Sequence, residues 1–140
     1  MAIVTRTLRD TVVNAAGAGG TVTIKVDIED DAAADGAILD ASALSGHANG
    51  AKLHIARLWW ALTQGSADDD TGHVEIQEVS SGTDIVQIRL AGTGHYDGSA
   101  GVIPGTAANT TATSGDHQIT TFGTSGFVII EFKKDQYYTA

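Results

Sequence analysis

The sequence predicts an all-β, single-domain protein, a β-sandwich or jelly roll of about seven to nine strands. Three observations carry this expectation. Apolar and polar residues alternate with period two in several runs, glycine-rich turns separate those runs, and no long stretch has helical spacing. At 140 residues the chain fits one domain covering 1–140. Alanine supplies much of the apolar fraction, and 17 glycines add length without adding core. A core that thin makes stabilisation by a homo-oligomer or a larger assembly an expectation.

The elements follow in chain order. Residues 1–15 read as an edge strand or arm, with residues 3–8 as its body. Gly17, Gly19 and Gly20 supply a turn. In residues 21–28, Val22, Ile24, Val26 and Ile28 fall on one side and Thr21, Thr23, Lys25 and Asp27 on the other. That is a strand with one buried and one wet face. The acidic, alanine-rich stretch 29–35 is the best place for a short helix, capped by Asp30 or Asp31 and stopped by Gly36. In residues 52–62, His54, Ala56, Leu58, Trp60 and Leu62 alternate with Leu53, Ile55, Arg57 and Trp59. This predicts a strand buried on much of both faces.

After a connection with Asp68, Asp69 and Asp70 at its tip, residues 73–79 return. Residues 84–91 form another strand, with Val86, Ile88 and Leu90 inward. Residues 97–116, rich in glycine, alanine and threonine around Pro104, read as a surface loop, functional or ordered on binding. Its candidate partner-binding residues are Val102, Pro104, Asn109 and Thr110. Residues 118–122 and 127–134 close the domain. The second of these is almost continuously apolar from Phe127 to Phe132, so it belongs at the centre of a sheet.

The net charge of −9 disfavours nucleic acid unless the few cations gather on one face, and they are scattered along the sequence. No cysteine is present, which removes disulfides and thiolate sites. No apolar run approaches the ~20 residues of a membrane span, and no signal-peptide pattern opens the chain. A soluble protein with no membrane partner is the expectation.

His47, His54, His73, His95 and His117 lie at least seven residues apart, without the short pairs of a zinc site. Neither acidic cluster, 27–35 or 68–70, has the alternation of a calcium loop; both read as solvated loops. No nucleophile elbow, phosphate loop or dinucleotide fingerprint occurs. His95, Tyr96 and Asp97 are neighbours that point alternately on a strand, so they make no base-and-orienter pair. The expectation is a non-enzyme with no cofactor, no metal and no catalytic residue. Trp59 and Trp60 face opposite ways, one into the core and one toward a second layer or a subunit partner. Trp59, Trp60, Phe127 and Phe132 are accordingly the core or interface residues.

The order of several short motifs adds a resemblance. Leu53-His54-Ile55-Ala56-Arg57-Leu58-Trp59-Trp60 precedes Val74-Glu75-Ile76 and Asp84-Ile85-Val86. Then come Gly92-Thr93-Gly94-His95-Tyr96-Asp97, Ser114-Gly115-Asp116-His117-Gln118-Ile119-Thr120-Thr121 and Val128-Ile129-Ile130-Glu131-Phe132-Lys133-Lys134. This order resembles small virion structural proteins of tailed bacteriophages, over residues 52–134. Their Thr-Gly-Asp turn is Ser-Gly-Asp here, and the acidic loop 68–70 stands where they have a tighter apolar hairpin. The resemblance implies a protein on the virion surface that decorates or cements the capsid by binding the major capsid protein. It also implies a homo-oligomer, a trimer or dimer. A glycan-binding or structural module of a tail or fibre is the alternative. Synthesis in the host cytoplasm goes with either.

Overall fold

Strand pairing in the computed structural model radiates from the last of its strands. Residues 2–11, 20–46, 53–64, 72–80, 84–104 and 113–134 are described. They form β1 (Ala2–Asp10), β2 (Gly20–Leu39), a 3-10 turn (Ala41–Ala43), β3 (Leu53–Gln64), β4 (His73–Ser80), β5 (Ile85–Ala91), β6 (Thr93–Tyr96) and β7 (Thr113–Lys134). All seven strands belong to one sheet, ordered β1-β2-β7-β3-β6, with β4 bonded to β7 and β5 to β4. β7 lies antiparallel to β2 from Gly20↔Lys134 to Leu39↔His117. Its second half also pairs with β3, and its first half with β4. The apolar run 127–132 is therefore central, as its composition predicts.

The sheet is folded into two layers. His117 and Phe132 both sit on β7, where an unbent strand would hold them about 50 Å apart. Their ring centroids are 4.7 Å apart, so β7 doubles back on itself. Gly123 and Gly126 at the bend have φ of +57° and +139°. A Cβ at position 126 would lie 1.9 Å from the Ala61 carbonyl oxygen, so only glycine lets β3 close on this corner. The partner strand β2 breaks register at the same place, between Ile28 and Asp31.

Layer one thus holds β1, β3, β6 and the pairing halves 20–28 and 126–134. Layer two holds β4, β5 and the halves 31–39 and 117–124. Val22, Ile24, Val26, Ile28, Ile55, Leu58, Val128, Ile130 and Phe132 join Val74, Ile76, Leu90 and Ile119 in one buried cluster between the layers.

Three expectations are corrected. The stretch 29–35 is strand, not helix: Asp31, Ala33, Ala34 and Asp35 oppose Thr124, Phe122, Thr121 and Thr120 of β7. A helix of one or two turns is marginal by itself, and a waiting strand edge offers every backbone group a partner. In β3, strict alternation would set Leu53 and Ile55 against Leu58 and Leu62. A bulge intervenes, since Ile55 opposes Phe132 and Arg57 opposes Glu131, leaving Ala56 as the extra residue. The parity flips there, and all four side chains reach the core. The opposite face of β3, carrying Arg57, Trp59 and Thr63, meets solvent and is not buried. The two predicted closing strands are one bent strand.

The first part of the expected surface loop is pinned. Ile103 exchanges backbone hydrogen bonds with Ile55 at 2.8 and 2.9 Å. Gln87 Nε2 donates to the carbonyls of Ile103 and Pro104 at 3.3 and 3.1 Å. Val102 and Pro104 are exposed beside this anchor. Asn109 and Thr110 lie outside the described residues.

Candidate functional site

Register places the outward side chains of layer one in rows across the strands. One row runs Val4, Asp27, Phe127, Ala61, Thr93, and the next runs Arg6, Lys25, Ile129, Trp59, His95. A third runs Arg9, Thr23, Glu131, Arg57, with Leu8 bulged beside it, and a fourth runs Thr21, Lys133, His54. Val4, Leu8 and Trp59 are exposed at 51%, 53% and 37%, while Phe127 and Ile129 are half-buried between them. The result is an apolar centre on an open, flat face.

Charge surrounds that centre unevenly. Arg6, Arg9, Lys25, Arg57 and Lys133 are five of the chain's eight Lys and Arg residues. Asp27, Glu131 and, at the corner, Glu29 are three of its 17 acidic residues. The face is therefore positive in a chain of net charge −9. Lys25 approaches Asp27 at 3.3 Å and lies 5.9 Å from the centroid of the Phe127 ring. Arg57 approaches Glu131, also at 3.3 Å. Such exposed pairs contribute little to stability, so their cations keep their reach toward a partner.

The tryptophans divide into one inward and one outward ring. Trp60 packs against the core, donates Nε1–H to the Ala91 carbonyl at 2.9 Å, and covers Gly94 of β6. A Cβ at Gly94 would come within 2.7 Å of the indole, so the glycine is what lets the ring lie flat across β6. Trp59 points to the other side, into the open face. Phe132 is fully buried, whereas Phe127 belongs to that face.

Layer two carries a different outward surface. Arg89 Nε donates to Glu75 Oε2 at 2.7 Å and Gln77 Nε2 to Glu75 Oε1 at 2.8 Å. Gln118 Nε2 donates to Gln77 Oε1 at 2.7 Å and to Asp84 Oδ2 at 2.8 Å. Burial by itself would raise the Glu75 pKa, but the hydrogen bonds from Gln77 and Arg89 and the Arg89 charge hold it below its ordinary value. This ladder satisfies its own donors and acceptors and offers few to a ligand.

The four described histidines do not converge. His54 and His95 lie on the open face, and His73 stacks on Phe122 at 4.3 Å. His117 is buried, 2.9 Å from Gln87 Oε1. His47 lies outside the described residues. Among the described residues, no three His, Cys, Asp or Glu side chains are grouped to hold a metal. A cleft of about 460 Å³ beside Asp40, Asp116 and His117 has its carboxylates engaged locally. Asp116 accepts from the Ala41 N–H at 2.9 Å and Asp40 caps the 3-10 turn.

Arg6, Arg9, Lys25, Arg57 and Ile129 escape sequence reasoning as site residues. Period-two parity shows that Lys25 points away from its neighbours Ile24 and Val26, yet nothing in the sequence says that Trp59 stands two strands away from it. No protein-family model matches the chain, and no curated protein matches it.

Proposed function

We propose that this chain is a non-enzymatic structural protein of a tailed-phage virion, which decorates or cements the capsid surface by binding major capsid subunits. The observation that carries the reading is the open face of layer one, with Trp59 exposed in the row Arg6, Lys25, Ile129, Trp59, His95. A large aromatic ring with half-buried apolar neighbours and a charged surround has the anatomy of a docking surface. The motif order over residues 52–134 supplies the phage context. β1 adds a second means of attachment, because among the described residues it pairs with β2 alone, along one of its two edges, and the other edge suits strand addition. Self-association into a dimer or trimer would use the same exposed groups.

The test mixes the purified chain with undecorated capsids and with free capsid subunits. Co-sedimentation with shells, little binding to free subunits and a higher shell melting temperature are expected, with Trp59→Ala reducing all three. Absence of shell binding rejects the reading. The exposure of Trp59 also favours a second reading, a glycan-binding module of a tail or fibre. In that case host polysaccharide shifts the tryptophan emission, and Trp59→Phe removes the shift.

A further inference from the structure

Resting on the reading that this face docks on a larger assembly, we infer that its partner is an acidic protein surface with an apolar centre, and that the chain sits with layer one inward. The charge distribution carries the inference. Among the described side chains, five cations and three carboxylates border the face, with Asp97 just past the end of β6, while two cations and six carboxylates lie elsewhere. A surface that collects most of a scarce charge type is matched to the opposite charge, since like charges brought together there would oppose docking.

The cations come from four strands whose members are far apart in sequence: Arg6 and Arg9 on β1, Lys25 on β2, Arg57 on β3 and Lys133 on β7. Only the sheet's register brings them to one side. A nucleic acid fits less well. Two of the five cations face carboxylates at 3.3 Å, the middle of the face is apolar, and the chain's net charge of −9 opposes a long polyanion. Five strands at their usual spacing and the length of residues 20–29 limit the face to at most roughly 800 Å², one partner's share of an ordinary stable interface. Trp59 stands inside that area, where a partner would exclude water from it and from the cations around it.

The experiment measures binding of the full chain to undecorated shells at low and at raised salt, beside Arg6→Glu/Arg9→Glu, Lys133→Glu and Val86→Glu. Val86 is an exposed apolar residue of β5 in layer two. Circular dichroism verifies that each variant is folded. A parallel arm adds poly-L-glutamate, or a thymidine oligonucleotide, and follows the emission lost in Trp59→Phe. Salt is expected to weaken shell binding, and the double charge reversal to weaken it about tenfold or more. Lys133→Glu should act in the same direction, and Val86→Glu should leave binding unchanged.

Wild type that binds shells with no response to salt or to any reversal overturns the inference and leaves the capsid reading standing. Wild type that ignores shells yet binds poly-L-glutamate through the Trp59 face overturns the capsid reading and supports the acidic partner. Binding to neither overturns both. Tighter binding to the oligonucleotide than to poly-L-glutamate overturns the inference in favour of a nucleic acid.

Discussion

Lys134 follows an apolar run, carries a charge, and is nonetheless buried. Its ammonium donates to the Asp10 carboxylate, to the Thr11 carbonyl at 2.8 Å and to the Ser45 carbonyl at 2.9 Å. Three donors meet three acceptors, and Asp10 also accepts from the Ser45 N–H at 3.0 Å. The cluster ties the ends of β1 and β7 to the segment after the 3-10 turn. Removing the cation leaves a partly exposed carboxylate and two carbonyls without their donor. Lys134→Ala is therefore expected to destabilise the fold by about 1–3 kcal/mol, read from urea unfolding. A loss under about 0.5 kcal/mol would mean that water replaces the ammonium. Burial alone would raise the Asp10 pKa; the hydrogen bonds from Lys134 and Ser45, with the ammonium charge, outweigh it and hold the carboxyl below its ordinary value. A folded-state pKa below the unfolded one gives stability that is present at neutral pH. That stability fades as pH falls below about 4 and on through the folded pKa. Wild-type urea midpoints should accordingly fall more steeply with acid than those of Asp10→Asn, and parallel curves would remove the pair from the account.

Among the elements, the corner of β7 is the most demanding. Gly126 has φ of +139° and no room for a Cβ, whereas Gly92 has φ of +64° with nothing within 4 Å of its Cβ position. Gly92→Ala should cost about 1–2 kcal/mol, the strain of a left-handed backbone alone. Gly126→Ala adds a collision with the Ala61 carbonyl, and the expected outcome is loss of the folded state at 25 °C by circular dichroism. Equal midpoints for the two variants would show that β3 can give way. This corner also marks how far elements are legible in sequence. The run 21–28 is read correctly because β2 keeps one parity through it, and Val22, Ile24, Val26 and Ile28 are all buried. Beyond Ile28 the local signals fail. Alanine and aspartate suggest a helix, while the deciding partner, Thr120–Thr124 of β7, lies about ninety residues away in the chain. The bulge at Ala56 is likewise invisible, because it is set by alignment with Glu131 and Phe132.

At the scale of the molecule, two layers share two strands. β2 and β7 run through both, so neither layer can open while the other keeps its pairing. Unfolding is expected to be a single transition, with coincident urea midpoints by tryptophan emission, which reports layer one, and by far-ultraviolet circular dichroism, which reports the whole sheet. Separated midpoints would assign the layers independent stability. The same scale explains what was hidden about the candidate site. Parity gives each residue its side of its own strand, but the order β1-β2-β7-β3-β6 is a property of the assembled sheet. Cations that are scattered along the sequence become neighbours only through that order. The tryptophan pair was legible earlier, since adjacent residues on any strand must part company.

β7 is synthesised after every strand it joins. A growing chain can zip β1 to β2 and β4 to β5, yet β2, β3 and β4 each keep an edge that only residues 113–134 will cover. Translation that stalls before those residues would release a polypeptide with three adhesive edges and a core that lacks Ile119, Val128, Ile130 and Phe132. Such fragments should collect in inclusion bodies.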